Sequence, residues 1–342
     1  MARLVTLINE VLASGDDVLE REIFGTGDPQ VIARRMEVFL AEQFGTFPVP
    51  IFYRHSVGIV VGAGLNEQEV VMKVHHWRAS EPRLAAIQRV QLELSLMGLP
   101  VPRPLVRPSK FGAGIATFEE LIPGDTVNGH DIETREALAQ ELCRLISAGR
   151  KIVDVHGLGS PAILGEPGGS LWPTPHSPRF DFEATSRGAA WIDELAWSAR
   201  RRLAALTKEL VIGHFDWRVG NLGFVGSKLN AIYDWDSIGL ATEAFIVGSA
   251  AATFSSDWSK PGGSLPTVVE MRAFVTDYQN AREMSFDADE LEIVDAANLI
   301  LVAYGARCQH SDIALSQVPN ASRGESWLGL LQERGGLGVT AF

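Results

Sequence analysis

The sequence predicts an α+β protein of two lobes, a small antiparallel sheet first and a mainly helical body after it. Three observations carry that expectation. Short β-branched runs cluster between about residues 56 and 121, apolar residues at helical spacing dominate from about 133 onward, and a Pro123-Gly124 turn separates the two regimes. At 342 residues the chain has room for two such lobes, each with a core.

Taken in order, Leu4 to Phe44 has apolar positions at helical spacing, with breaks near Gly15 and Gly25–Pro29. Met1 to Leu12 reads as an amphipathic helix without a basic-then-apolar leader, so export is not expected and a cytoplasmic location is. Past Pro48 and Pro50 the pattern changes. Ser56–Gly64 and Glu69–Val74 flank a turn-like Gly-Leu-Asn, as the strands of a hairpin do. Pro82 suits the first turn of a helix to about Met97, stopped by Gly98 and the prolines of Pro100–Pro104. Strands follow near Leu105 and over Gly114–Leu121. Helices are then expected over Glu133–Val153, Ala184–Leu206, Ala241–Thr253, Thr267–Glu283 and Asp287–Cys308. Three short apolar strands interrupt them between Glu209 and Trp235, and Gly157–Pro178 reads as a long loop of the kind that carries function. The expected division is a helical extension over 1–45, a sheet lobe over 46–122 and a helical lobe over 123–342.

Composition removes several classes of function. With 46% hydrophobic and 21% charged residues the chain is an ordinary globular one. Its best apolar run, Ala244–Phe254, is too short to cross a bilayer, so no membrane partner is expected. Acidic residues outnumber basic ones by 42 to 30, a formal charge of −12 that argues against nucleic acid and permits a cationic small molecule. Cys143 and Cys308 lie in helical apolar patterns, as buried thiols of a reducing compartment do. Monomer and homodimer are both compatible, the N-terminal helices serving as a cap on the sheet lobe or as a dimer contact.

The chemistry concentrates in His214-Phe-Asp216-Trp-Arg218-Val-Gly-Asn221, followed by Asp234 at the end of the next apolar strand. Phosphoryl transfer needs these residue types together, because the protein mainly positions groups and neutralises charge. Asp216 suits the base that accepts the proton of an attacking hydroxyl. The amide oxygen of Asn221 and the carboxylate of Asp234 suit Mg²⁺, a hard ion that prefers oxygen. Asp236 reaches a second metal or bonds the loop. Arg218 can neutralise charge on the transferred group, or pair with a nearby acid such as Asp236. His214 reads as a brace for the loop backbone. Lys73, mid-strand in Val-Val-Met-Lys, pairs with ATP phosphates or snorkels from an edge strand. Gly58, Gly62 and Gly64 make no GxGxxG, and no Walker GxxxxGK[ST] exists.

Together these residues resemble the aminoglycoside phosphotransferase family, a branch of the protein-kinase-like fold that also includes choline and homoserine kinases. The resemblance spans roughly Val57 to Tyr304 and includes Pro100–Pro104 and Glu120–Gly124. It implies a two-lobed kinase-like fold and an ATP- and Mg²⁺-dependent transfer of phosphate to a hydroxyl of a small molecule, an antibiotic in resistance or a metabolite. Lys73 would hold phosphates, the backbone of Glu120 to Ile122 would bind adenine, Asp216 would be the base, and Asn221 and Asp234 the metal ligands. The acceptor would lie beside Asp216, with Asp181 in the Arg179–Glu183 segment, Trp217, Asp257 and Trp258 as candidates. Their acidic and aromatic groups suit a polyhydroxylated amine; core packing is the plain alternative for Phe180 and Phe182, and a helix N-cap role for Asp181. Relatives also carry a glutamate in the N-lobe helix that pairs with the strand lysine. Here that stretch holds Gln88 and Gln91, with Glu81 before it and Glu93 after, so one of those acids substitutes or a glutamine orients Lys73. Glu243 stands where relatives often have aspartate. A nucleotide-binding pseudokinase is the alternative; a protein kinase is disfavoured by the lack of Asp-Phe-Gly and Ala-Pro-Glu.

Overall fold

A computed structural model of the chain describes residues 2–13, 15–55, 57–66, 68–75, 79–165, 169–177, 179–206, 208–258, 264–316 and 326–335. Ser56 and Pro178, expected to open the first strand and close the long loop, lie outside the described residues. The chain forms two compact units, Met1–Pro123 and Gly124–Phe342.

The first unit runs α1 (Ala2–Leu12), α2 (Val18–Phe24), α3 (Pro29–Phe44), β1 (Val49–His55), β2 (Ile59–Leu65), β3 (Gln68–His75), α4 (Glu81–Leu96), β4 (Pro104–Phe111) and β5 (Gly114–Glu120). The strands form a five-stranded sheet in the order β1-β2-β3-β5-β4, every neighbouring pair antiparallel. Strand β1 was not expected, because Pro50 lacks a ladder donor. The fold accommodates it on an edge strand beside a register shift. The opposite edge strand, β4, carries Pro104 and Pro108 and has register shifts as well. Asp28 starts α3 by accepting a hydrogen bond from the Gln30 amide at 2.9 Å, and Gly45 ends it in the left-handed region.

Alternation along the strands gives the sheet two distinct faces. Ile59, Val61, Ala63 and Leu65 of β2, Val70, Met72 and Val74 of β3, and Ala116 and Phe118 of β5 share one buried cluster with Leu4, Ile8, Ile32, Met36 and Leu40 of the N-terminal helices. Each fully buried Val, Leu, Ile, Met or Phe of this cluster contributes roughly 1.5–3 kcal/mol, so α1–α3 are held on this face by the sheet's own apolar residues. Val71, Lys73, Thr117 and Glu119 alternate onto the other face. There α4 lies against β4, with Gln88 Nε2 donating to the Val106 carbonyl at 3.0 Å.

The second unit is mainly helical: α5 (Ile132–Gly149), α6 (Ala190–Ala205), α7 (Glu243–Ala251), α8 (Val268–Arg282), α9 (Ala288–Ser316) and α10 (Trp327–Arg334). Helix α7 is buried along its whole length and packs against α8 and α9. A Cβ at Gly248 would overlap the Val294 carbonyl oxygen, so glycine is what lets α7 and α9 approach so closely. Among the described residues no helix is long and apolar enough to cross a membrane.

Four short strands, β6 (Leu210–His214), β7 (Leu222–Val225), β8 (Lys228–Ile232) and β9 (Ile238–Thr242), form two nested antiparallel pairs. β9 occupies part of a stretch the sequence assigned to helix; α7 begins only at Glu243, where Thr242 caps it by accepting from the Phe245 amide at 3.2 Å. Because β6 pairs with β9 and β7 with β8, the loop leaving β6 and the loop leaving β8 emerge at the same end. Two backbone bonds stitch those loops together, Phe215 N–H to the Ser237 carbonyl at 3.0 Å and Tyr233 N–H to the Asn221 carbonyl at 2.9 Å.

Candidate active site

His214 ends β6 as a buried residue and braces both loops from within. Its Nε2 lies 2.9 Å from the Tyr233 carbonyl oxygen, and its Nδ1 accepts from the Asp216 amide at 3.3 Å. That pairing assigns the ring hydrogen to Nε2. The Asp216 carboxylate stands above this brace, its side chain 32% exposed. Oδ1 accepts from Arg218 Nε at 2.9 Å and Oδ2 from Asn221 Nδ2 at 2.6 Å. The same amide nitrogen donates to the Asp216 backbone carbonyl at 2.9 Å. A carboxylate offers about four acceptor positions, so Asp216 is fixed in orientation and can still take another donor.

Asn221 Nδ2 uses both hydrogens on Asp216, which turns the amide oxygen away from that carboxylate. Asp234 follows Tyr233, the residue bonded to the Asn221 backbone, and adopts φ 61° and ψ 50°. A non-glycine residue in the left-handed region costs roughly 1 kcal/mol or more, least for Asp and Asn. Ser237 holds it there, its amide donating to the Asp234 carbonyl at 3.1 Å and its hydroxyl to Oδ2 at 3.1 Å. Among the described residues no three His, Cys, Asp or Glu side chains gather as metal ligands. The residues that could hold a metal are Asn221, through its amide oxygen, and Asp234, through its carboxylate, on neighbouring loops. Those donors suit Mg²⁺, which takes one or two carboxylates and completes its shell with water and phosphate.

Arg218 forms the ion pair with a nearby acid that its structural alternative supposed, the acid being Asp216, and its guanidinium lies 5.5 Å from the Trp258 ring centroid. Trp258 is half-exposed and is brought to the loop by this contact. Trp217 and Asp257 are not available in the same way. Trp217 is 1% exposed, with its indole N–H donating to the Leu138 carbonyl at 3.2 Å, so its position beside Asp216 in sequence becomes a place in the core. Asp257 is likewise buried. Asp181 is exposed, but its Oδ1 accepts from the Ala184 amide at 2.9 Å and closes its own turn.

In the first unit, Lys73 Nζ lies 3.2 Å from Glu119 Oε1. Neither Glu119 nor this pairing was foreseen: Glu119 and Glu120 are adjacent, and only strand register decides which faces Lys73. Glu120 has its backbone amide on the Arg103 carbonyl at 3.0 Å, the Leu121 amide goes to the Glu69 carbonyl at 3.0 Å, and Ile122 follows at the end of this segment, half-buried.

His176 is a second residue the sequence reading missed. Its Nδ1 lies 3.0 Å from the Tyr304 hydroxyl, and its ring packs edge-on to Phe180 at 5.2 Å. Although His176 keeps an exposed edge, desolvation by the neighbouring side chains lowers its proton affinity, while the Asp216 charge pulls it up and Arg179 pushes it down. It therefore sits within electrostatic reach of the proposed base. No motif marks it, and only the length of its loop hinted at function.

Residues 60–291 match the sequence model of the phosphotransferase enzyme family, well over half of the chain. The chain belongs to that family. Three solved structures show the fold of this phosphotransferase at low identity. Amicoumacin kinase hAmiN, in complex with AMP-PNP, Ca²⁺ and Ami, is 12% identical over 92% of this chain and 98% of its own, with a TM-score of 0.61. A thermostable mutant of aminoglycoside phosphotransferase APH(4)-Ia, in ternary complex with ADP and hygromycin B, is 12% identical over 82% and 92%, with a TM-score of 0.54. Spectinomycin phosphotransferase APH(9)-Ia, in complex with ADP and spectinomycin, is 15% identical over 88% and 94%, with a TM-score of 0.51. No curated protein matches the chain by sequence. The fold is thus α+β and kinase-like, with the five-stranded antiparallel sheet in the first unit and the helices dominating the second.

Proposed function

We propose that this phosphotransferase moves the γ-phosphoryl group of ATP, with Mg²⁺, to a hydroxyl of a small molecule. The observation that carries the reading is the Asp216 carboxylate clamped by Arg218 and Asn221, beside a loop that presents Asp234. Asp216 accepts the hydroxyl proton on the carboxylate as the oxygen attacks. Arg218, fixed against Asp216, offers its remaining N–H groups to the charge that spreads over the transferred oxygens. When bound at Asn221 and Asp234, Mg²⁺ would neutralise phosphate charge. In the first unit Lys73 takes phosphate oxygens and the backbone from Glu120 to Ile122 takes the adenine. The nucleotides and divalent ion bound by the neighbours, AMP-PNP, ADP and Ca²⁺, support this nucleotide and metal use.

The antibiotics in those neighbours, Ami, hygromycin B and spectinomycin, support a hydroxylated antibiotic or similar metabolite as acceptor, a cationic one included. Of the acceptor residues read from sequence, Trp258 stands exposed beside Arg218, and His176, bonded to Tyr304 and within the field of Asp216, is added to the acceptor candidates. The test is ADP release with ATP, Mg²⁺ and a panel of aminoglycosides, amino sugars, nucleosides and amino alcohols. Asp216→Ala should lower kcat by about 10²–10⁴-fold, the usual worth of a general base, and leave ATP affinity nearly unchanged. Full activity in that variant would sink the assignment. Asp234→Ala should remove the Mg²⁺ dependence of nucleotide binding.

A further inference from the structure

The sequence resemblance implies a helix glutamate beside the phosphate-binding lysine, and no acid of α4 is paired with Lys73 in that way. Glu81 and Glu93, the acids nearest that place in sequence, are both exposed on α4, and Gln88 bonds the Val106 carbonyl. The sheet supplies the acid instead. In the register of β3 and β5, Val71 opposes Glu119 and Lys73 opposes Thr117. Glu119 is therefore the same-face diagonal neighbour of Lys73, a separation that long side chains span. Its Oε1 lies 3.2 Å from Lys73 Nζ. Its Oε2 accepts from Gln91 Nε2 at 2.7 Å, and that nitrogen also donates to the Pro102 carbonyl at 2.8 Å. Both Gln91 and Glu119 are buried.

We infer that Glu119 is the positioning residue of Lys73 and that Gln91 carries the hold of α4 on that carboxylate. The acid has moved from helix to strand, and an amide has taken its place on the helix. The exchange is chemically coherent. One carboxylate balances one ammonium, whereas an acid at both positions would set like charges in hydrogen-bond contact and force one to take a proton. With its amide hydrogens on Glu119 and Pro102, Gln91 leaves the carboxylate a single orientation, which fixes where Lys73 points. This inference rests on the reading of Lys73 as a phosphate lysine.

The experiment exchanges the two groups and reads nucleotide binding directly, with Mg²⁺ and AMP-PNP as the probe, alongside steady-state kinetics and melting temperature. Glu119→Gln keeps shape and removes charge. It should raise the AMP-PNP Kd and the KM for ATP by about 10-fold, the difference between a charge-assisted and a neutral hydrogen bond, while the acceptor KM stays put. Gln91→Glu alone should weaken binding too. The double variant Glu119→Gln with Gln91→Glu restores one acid and one amide but leaves the Pro102 carbonyl without its donor. It should therefore bring the Kd part of the way back, well below the product of the two single losses, a coupling that independent structural losses do not produce. An unchanged Kd in Glu119→Gln overturns the inference, as does a double variant that regains its melting temperature without regaining binding. The outcomes separate from those of the proposed reaction. If Asp216→Ala abolishes turnover and Glu119→Gln leaves the Kd alone, the reaction stands and the inference falls. If the parent binds AMP-PNP but turns nothing over, the reaction falls and the exchange is still decided by binding. A parent that binds no nucleotide overturns both.

Discussion

Asp216 and Asn221 are coupled so closely that a charge placed on the second must be felt by the first. The 2.6 Å bond between them joins a carboxylate to an amide donor. Asn221→Asp replaces that donor with a second carboxylate, and two such groups in contact share a proton. The acid limb of the kcat/KM profile should then move to higher pH. An unmoved profile would show that Asn221 is not in contact with the group that sets it. Cys308 is a residue-scale case of the opposite kind, a nucleophile made inert. Burial pushes its thiol up to about 12, only partly offset by Tyr304 and Arg307. Iodoacetamide at pH 8 should therefore leave Cys308 unmodified in the folded protein and label it in urea, as mass spectrometry can read. The helical apolar pattern around this cysteine already pointed to a buried thiol.

Elements are held to one another by contacts that no single helix encodes. Gly248→Ala would press a methyl group onto the Val294 carbonyl at the α7–α9 crossing. Overpacking of this kind costs roughly 1–3 kcal/mol, and urea denaturation should show a lowered midpoint with an unchanged slope. The starts of α5 and α8 are joined by His130, whose Nδ1 lies 2.8 Å from Glu270 Oε1 and whose Nε2 lies 2.9 Å from Ser264 Oγ. The other Glu270 oxygen closes the capping box with Thr267, so this carboxylate works as a helix start and a tie at once. Burial raises Glu270, but the Thr267 and His130 hydrogen bonds prevail and hold it below its ordinary value of 4.5. A depressed carboxylate stabilises the fold above its unfolded value and stops doing so as pH falls through the folded one. Stability should thus fall on acidification below about pH 4.5, and less steeply in Glu270→Gln, as melting temperatures across pH would reveal.

At the scale of the molecule, the N-terminal helices are part of the first unit's core. They cover the face of the sheet that carries Ile59, Val61, Val70, Met72, Val74 and Phe118, and they leave the Lys73 face to α4. A chain lacking residues 1–44 would expose that apolar face to water. Patches of more than a few hundred Å² rarely stay exposed on soluble monomers, so the truncated protein should aggregate on size-exclusion chromatography. A monodisperse truncation with an intact sheet signature by circular dichroism would refute this.

What the sequence by itself determined is the local arrangement of the candidate site. His214, Asp216, Asn221 and Asp234 come together because two short loops flank one hairpin, β7–β8, and hairpin pairing is fixed over a few residues. Spacing along the chain is then nearly geometry. The two-part character of the fold was legible for the same reason, since period-2 and helical patterns are local signals. Only the tertiary structure decided the rest. Pro50 hid β1 until an edge position made it tolerable, and β9 was masked by the apolar run that continues into α7. Glu119 and Glu120, adjacent and identical in kind, were separated by strand register. Trp217 went to the core while Trp258 stayed at the loop, and His176 reached the field of Asp216 from a segment with no motif. Each of these depends on partners far away along the chain, and burial, register and diagonal contacts exist only once those partners have packed.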